Sequence, residues 1–212
     1  MPHLLHQERN PMSHQKTYFM KTFNLIFNLI LFSTLDFIIK FLLDLIHSGF
    51  EKLNFQPILR LADNVSALSN FTFGLGIASV SLVILLTTLE IVNRSRYDSV
   101  LNYFKSIKQT FGLRRFMGQS ERSEKSVETQ KVTSYNPIKD KFNRSVHKCC
   151  VDVMNDEILV FIKVPKTQQT QKILNELQSQ IKEETSSQNP EYIFSSFERH
   201  QNCLWLQGTK RK

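Results

Sequence analysis

Residues 71–89 read FTFGLGIASVSLVILLTTL. No charged side chain occurs between Asn64 and Leu89, and the run is apolar on every side of a helix. About 20 such residues match the hydrocarbon thickness of a bilayer, whereas a soluble core helix keeps a polar face. The stretch therefore predicts a membrane-spanning helix over 71–92. Gly74-Leu-Gly-Ile-Ala78 has the glycine spacing of a nucleotide loop but no strand before it, so that reading is rejected. Gly74, Ala78 and Ser81 are instead expected to form a small-residue face that lets another helix approach.

Upstream, KTFNLIFNLILFSTLDFIIKFLLDLIHSGF is apolar but interrupted by Asp36, Lys40 and Asp44. These lie four apart, so neighbours can pair along a helix, which lowers the cost of placing charge at membrane depth. A first span is assigned to 22–46, joined to the second by a short outer loop over 47–70. Asp36 and Lys40 are the intramembrane polar pair, facing the partner helix or another copy; an ion or proton pathway through an oligomer is a lesser alternative. Met20-Lys21 before an apolar run has the start of a signal peptide, but no small-residue cleavage site follows, so an uncleaved anchor is expected. Residues 1–21, with irregularly spaced His3, His6 and His14, read as a disordered tail.

Charge sets the orientation. The chain has 212 residues and net charge +8. Residues 1–92 are neutral, 93–142 carry +6 and 143–212 carry +2. Lys and Arg stay on the cytoplasmic side of spans. Arg9, Lys16 and Lys21 precede the first span; Arg94, Arg96, Lys105 and Lys108 follow the second; only Lys52 and Arg60 lie between. Both termini are expected in the cytoplasm, at the plasma membrane. Beyond Glu90, residues 96–115 form a basic amphipathic helix with Val100, Phe104, Ile107 and Phe111 at helical spacing. Arg94, Arg96, Lys105, Lys108, Arg114 and Arg115 are its expected contacts with anionic headgroups. Residues 116–142 are polar and read as a linker.

The remaining segment, 143–208, predicts a small cytoplasmic α+β domain. In VHKCCVDVMNDEILVFIKV (146–164), an Asn155-Asp156 turn pairs Val153 with Ile158, Val151 with Val160 and Cys150 with Phe161, leaving one face coherently apolar. Pro165 ends the second strand. TQQTQKILNELQSQIKEETSSQ is an amphipathic helix, and EYIFSSFERH and CLWLQG are two further strands. The fold class is thus a membrane α-helical hairpin of two spans plus an α+β domain of order ββαββ. One helix covers one sheet face. The other face, with Lys148, Leu159, Phe161, Lys163 and Trp205 and joined by Phe194 or Phe197, is the candidate partner surface. Flat aromatics beside Lys suit a protein partner or self-association, and also stacked nucleic-acid bases.

No nucleophile elbow, phosphate loop, HExxH or paired catalytic carboxylates appears. No catalytic, cofactor or metal residue is assigned, and neither an enzyme nor a small-molecule substrate is expected. His147, Cys149, His200 and Cys203 make a zinc set only if the first and last strands are neighbours. NPEYIFSSFERHQNCLWLQGTKRK, with VFIKVPKTQQTQKIL before it, resembles small uncharacterised membrane proteins of low-GC Gram-positive bacteria and their plasmids over residues 144–212. The resemblance implies a bacterial plasma membrane and mobile-element setting, and no site residues; in a eukaryotic cell Asn64-Val-Ser66 would be a glycan acceptor. The expectation is an accessory or scaffold subunit that brings a cytoplasmic partner to a membrane complex. The alternative is membrane-anchored nucleic-acid binding in plasmid maintenance or conjugative transfer.

Overall fold

A computed structural model describes residues 15–52, 56–119 and 136–211. The chain is mostly helical, with a small antiparallel sheet and one helix apolar and long enough to cross a membrane. It divides into two units, Lys21–Tyr97 and Met1–Met20 with Asp98–Lys212.

The first unit holds α1 (Tyr18–Glu51) from Lys21 onward and α2 (Gln56–Tyr97), the opening residues Tyr18–Met20 of α1 belonging to the second unit. Within α2, Pro57–Tyr97 is the membrane-length segment, with a mean hydropathy of 2.2 in its most apolar window. The two helices run antiparallel. Ser69 Oγ donates to Asp44 Oδ1, the Phe37 and Phe73 rings meet edge-on at 6.2 Å, and Gly76 faces Phe37. Ser33 and Asp36 on α1, and Ala62, Ser69 and Ser79 on α2, are buried. Most large apolar residues of both helices point outward; Leu25, Leu31, Phe41 and Leu45 on α1 and Phe71, Ile84 and Leu85 on α2 are about half exposed or more.

Three expectations need correction here. The predicted outer loop over 47–70 is largely helical, since α1 continues to Glu51 and α2 begins at Gln56 with Pro57 in its first turn, where its missing N–H costs nothing. Asn64-Val-Ser66 lies inside α2. The close helix approach is at Gly76, not at Gly74, Ala78 or Ser81. A Cβ on Gly76 would stand 3.1 Å from the Phe37 ring, whereas one on Gly74 would meet nothing within 4 Å, and Ala78 and Ser81 are exposed. Two residues along a helix is a rotation of about 200°, so choosing the wrong glycine selects the opposite side.

The second unit is a five-stranded antiparallel sheet with three helices: α3 (Val100–Met117), α4 (Pro137–Val146), β1 (Cys150–Val153), β2 (Glu157–Lys163), α5 (Gln168–Gln188), β3 (Tyr192–Phe194), β4 (Glu198–His200) and β5 (Cys203–Lys210). The sheet order is β1-β2-β5-β3, with β4 also on β5. The β1–β2 register is the one the alternation predicts: Val151 opposite Val160, Val153 opposite Ile158 and Cys150 opposite Phe161. The turn closes through the Met154 amide on the Glu157 carbonyl, 2.8 Å.

The order ββαββ is not what forms. EYIFSSFERH is two strands, β3 and β4, both paired with β5. Phe194 faces Gly208 and Glu198 faces Trp205, so one extra residue is accommodated between them, a bulge. That extra residue reverses the inward parity, and Phe194 and Phe197 both pack toward the main core. Neither joins the opposite face. The core also draws on Leu113 and Met117 of α3 and Phe142 and Val146 of α4. The α+β unit therefore starts at Asp98 rather than at residue 143, and gains the core area that about 70 residues alone would lack. Of the predicted linker, residues 120–135 lie outside the described residues. Its flanks are bridged: the Gln119 amide donates to Asn143 Oδ1 at 2.9 Å, and Asn143 Nδ2 returns a bond to the Gln119 carbonyl at 3.0 Å. The predicted disordered tail lies outside the described residues up to residue 14.

Candidate functional site

The face of the sheet turned away from α5 is closed. Leu159, Phe161 and Trp205 are only 2, 2 and 3% exposed. Phe161 and Trp205 meet edge-on at 5.2 Å, across the β2–β5 pair. Lys16 Nζ sits 4.0 Å above the Phe161 ring, so the N-terminal segment lies over the aromatic face. Phe19, from the same segment, packs edge-on against Tyr103 of α3 at 5.8 Å. This corrects the expected open partner surface: bare aromatic area of this size is covered from within the chain. Of the five predicted residues, only Lys148 is exposed and Lys163 half-buried. A base-stacking platform on Phe161 and Trp205 is not presented.

The zinc set is not assembled either. In the order β1-β2-β5 with β4 beyond, His200 lies three inter-strand spacings, about 14 Å, from the line of β1 and Cys149. Among the described residues no three His, Cys, Asp or Glu side chains gather to hold a metal. Cys149 and Cys150 are buried thiols. Burial first, and then the neighbouring Cys150 thiol, push the Cys149 thiol up to about 12; Arg114 opposes the shift. Cys150 is also raised, chiefly by burial. Both are poor nucleophiles. A cleft of about 190 Å³ between α5 and β4–β5, lined by Gln171, Leu174, Phe197, Arg199 and Leu204, is smaller than the roughly 300–1,000 Å³ of common ligand sites.

The most built polar feature was not foreseen in the sequence. It joins α3 to the outer edge of β1. Arg114 Nε and Nη2 both donate to the Cys149 carbonyl, at 2.9 and 2.7 Å. The Thr110 hydroxyl accepts from the Val151 amide at 3.0 Å and donates to the Val151 carbonyl at 3.2 Å. Ser106 Oγ accepts the Val153 amide at 2.8 Å and lies 3.2 Å from the Asp152 carboxylate. Asn102 Nδ2 donates to Asn155 Oδ1 at 2.9 Å, while Asp98 Oδ1 accepts the Asn155 amide at 3.0 Å. Residues 102, 106, 110 and 114 are one helix face, and Cys149, Val151 and Val153 are alternate strand positions. Side chains thus replace the backbone partners of a missing sixth strand. Gln109 and Asn189 exchange amide bonds of 2.6 and 3.2 Å, tying the same helix to the end of α5.

This arrangement revises the predicted headgroup contacts. Arg114 is 8% exposed and committed to β1, and Arg94 is 8% exposed and bonded to Glu90 Oε1 at 2.7 Å. Arg96, Lys105, Lys108 and Arg115 remain exposed. In the other unit, Lys40 pairs with Asp44 rather than Asp36; Asp36 is 5% exposed and its Oδ2 has no hydrogen-bond partner among the described residues. No family model, curated protein or solved structure matches the chain.

Proposed function

We propose that the chain is an integral membrane protein that tethers a compact α+β unit, acting as an accessory or scaffold subunit of a membrane complex at the plasma membrane. The observation that carries this reading is the outward surface of α2, where Phe71, Ile84 and Leu85 are 63, 61 and 55% exposed on a helix of membrane length. Water does not tolerate that much contiguous apolar area on one helix pair, and lipid requires it.

Two spans, with both termini in the cytoplasm, fit the same surface. The outward residues of α1 are apolar, while Ser33 and Asp36 turn toward α2. Lys40 and Asp44 neutralise each other toward the end of that apolar stretch. The basic excess after α2 sets the orientation. The scaffold reading rests on the covalent arrangement: Tyr97 ends α2, and the α+β unit begins at the next residue. A partner would meet the outer surface of that unit, where Lys148 is exposed, since Leu159, Phe161 and Trp205 are occupied within the chain.

Extraction of expressing cells tests the anchor. The chain is expected to stay with membranes through an alkaline wash and to need detergent for release; release into plain buffer overturns it. Protease added outside intact cells should leave the segment after α2 uncut. Affinity capture of the full chain from gentle detergent, with Lys148→Glu beside wild type, then tests the scaffold role. Capture of no membrane-complex component by wild type ends it.

A further inference from the structure

α3 buries a row of polar side chains and leaves four large apolar residues exposed. Its protein-facing side holds the polar row Asn102, Ser106, Thr110 and Arg114, flanked by Tyr103, Leu113 and Met117, all buried. Its outer side holds Leu101, Phe104, Phe111 and Phe116, which are 70, 59, 42 and 39% exposed. Lys105, Lys108 and Arg115 are exposed among them, and the helix contains no acidic residue. In a water-facing helix the apolar side is the one that packs inward. Here the inner side is shared between the polar ladder to β1 and the buried Tyr103, Leu113 and Met117, which leaves Leu101, Phe104, Phe111 and Phe116 outside.

An occupant for that outer side must accept aromatic rings and cations together. The interface of a bilayer with anionic lipids does so, because the rings enter the acyl boundary while ammonium and guanidinium groups stay among the phosphates. Chain connectivity favours it as well. α2 ends at Tyr97 and Ser99 caps the start of α3 through the Leu101 amide, so only Asp98 and Ser99 separate the two helices. At about 3.5 Å per residue, Leu101 cannot lie more than roughly 14 Å from the end of α2. We propose that α3 is a two-sided adaptor. Its polar side seals the β1 edge, and its outer side docks on an anionic bilayer surface through Leu101, Phe104, Phe116, Lys105, Lys108 and Arg115. The proposal rests on α2 crossing the bilayer.

The test uses the full chain in vesicles of phosphatidylcholine brominated in its acyl chains, with and without phosphatidylglycerol. Added tryptophans report bromine contact over the background of Trp205, the single native tryptophan. Leu85→Trp is expected to be quenched in both lipids. Phe104→Trp is expected to be quenched more strongly when phosphatidylglycerol is present. Adding Lys105→Gln, Lys108→Gln and Arg115→Gln should lower the docked-to-undocked ratio on the order of a hundredfold. Slow labelling of Cys149 and Cys150 reports that the sheet unit stays folded in each variant. If Leu85→Trp is quenched but Phe104→Trp is not, α3 faces water, protein or a second copy, and the adaptor is overturned alone. If the triple variant is quenched as before, anionic lipid is not the occupant. If Leu85→Trp escapes quenching, the membrane reading falls and the adaptor with it.

Discussion

The hydroxyl of Thr110 makes both bonds that a neighbouring strand would make to Val151, accepting its amide at 3.0 Å and donating to its carbonyl at 3.2 Å. Thr110 is fully buried, so water cannot replace it. Thr110→Val keeps the shape and removes both bonds. It is expected to cost about 1–3 kcal/mol, because two backbone groups lose their partner away from solvent. Thr110→Ser should cost less, since the hydroxyl remains. Denaturant unfolding in detergent, followed by Trp205 emission, measures both; equal losses would mean packing and not hydrogen bonding sets the effect.

Arg114 places two donors on one carbonyl, that of Cys149. Arg114→Met retains the stem and is expected to destabilise the unit by about 1.5–3 kcal/mol, in the range for charged donors. Hydrogen exchange adds a positional check: the variant should expose the amides of Val151 and Val153 sooner than those paired between β2 and β5.

The thiols give a pH dependence with a definite sign. Cys149 is raised from 9.0 to about 12, so between these values the folded chain holds a proton that the unfolded chain has lost. Its contribution to stability is fully present below pH 9 and is lost as pH rises toward 12, at up to about 1.4 kcal/mol per pH unit. Cys149→Ala should flatten that decline. With three cysteines in the chain, a thiol reagent at pH 8 should label Cys203 first, and Cys149 and Cys150 only on unfolding.

Two glycines two residues apart should behave oppositely. Gly76→Leu drives its side chain into the Phe37 ring and Asp36, and should lower the melting temperature of the chain in detergent or separate α1 from α2. Gly74→Leu enters open space and should leave that temperature within error.

Gly208 faces Phe194 across β3–β5, and an added Cβ would stand 2.7 Å from the ring. Gly208→Ala is expected to cost about 1–3 kcal/mol through overpacking. Phe194→Leu combined with it should be less damaging than the two single losses added together, because the smaller side chain vacates the contested space.

The parts of this fold that a sequence displays are those with an uninterrupted period. Val151, Val153, Ile158, Val160 and Ile162 alternate without a break, and Asn155-Asp156 admits one turn length, so the β1–β2 register is legible. Leu174, Leu177 and Ile181 keep helical spacing, and α5 was legible with them. The β3–β4 bulge was not: one unpaired residue moves Phe197 to the core side, and only Ser195-Ser196 hints at a break. The edge ladder was hidden for a chemical reason. Asn102, Ser106, Thr110 and Arg114 have the composition of a solvated face, and only their spacing of four betrays a shared target. The closed aromatic face was equally hidden, because Lys16 and Phe161 meet across 145 positions of chain and nothing local marks the pair.

Closing the β1 margin also governs behaviour in a crowd. On the proposed membrane anchoring, copies would share a lipid plane and collide in similar orientations, the geometry in which bare strand margins polymerise. Here one margin is plugged by hydroxyl and guanidinium groups, and the opposite one is kinked and carries Glu198, Arg199 and His200. Neighbouring molecules can therefore press together without zipping into a ribbon, and whatever association they undergo must use other surfaces.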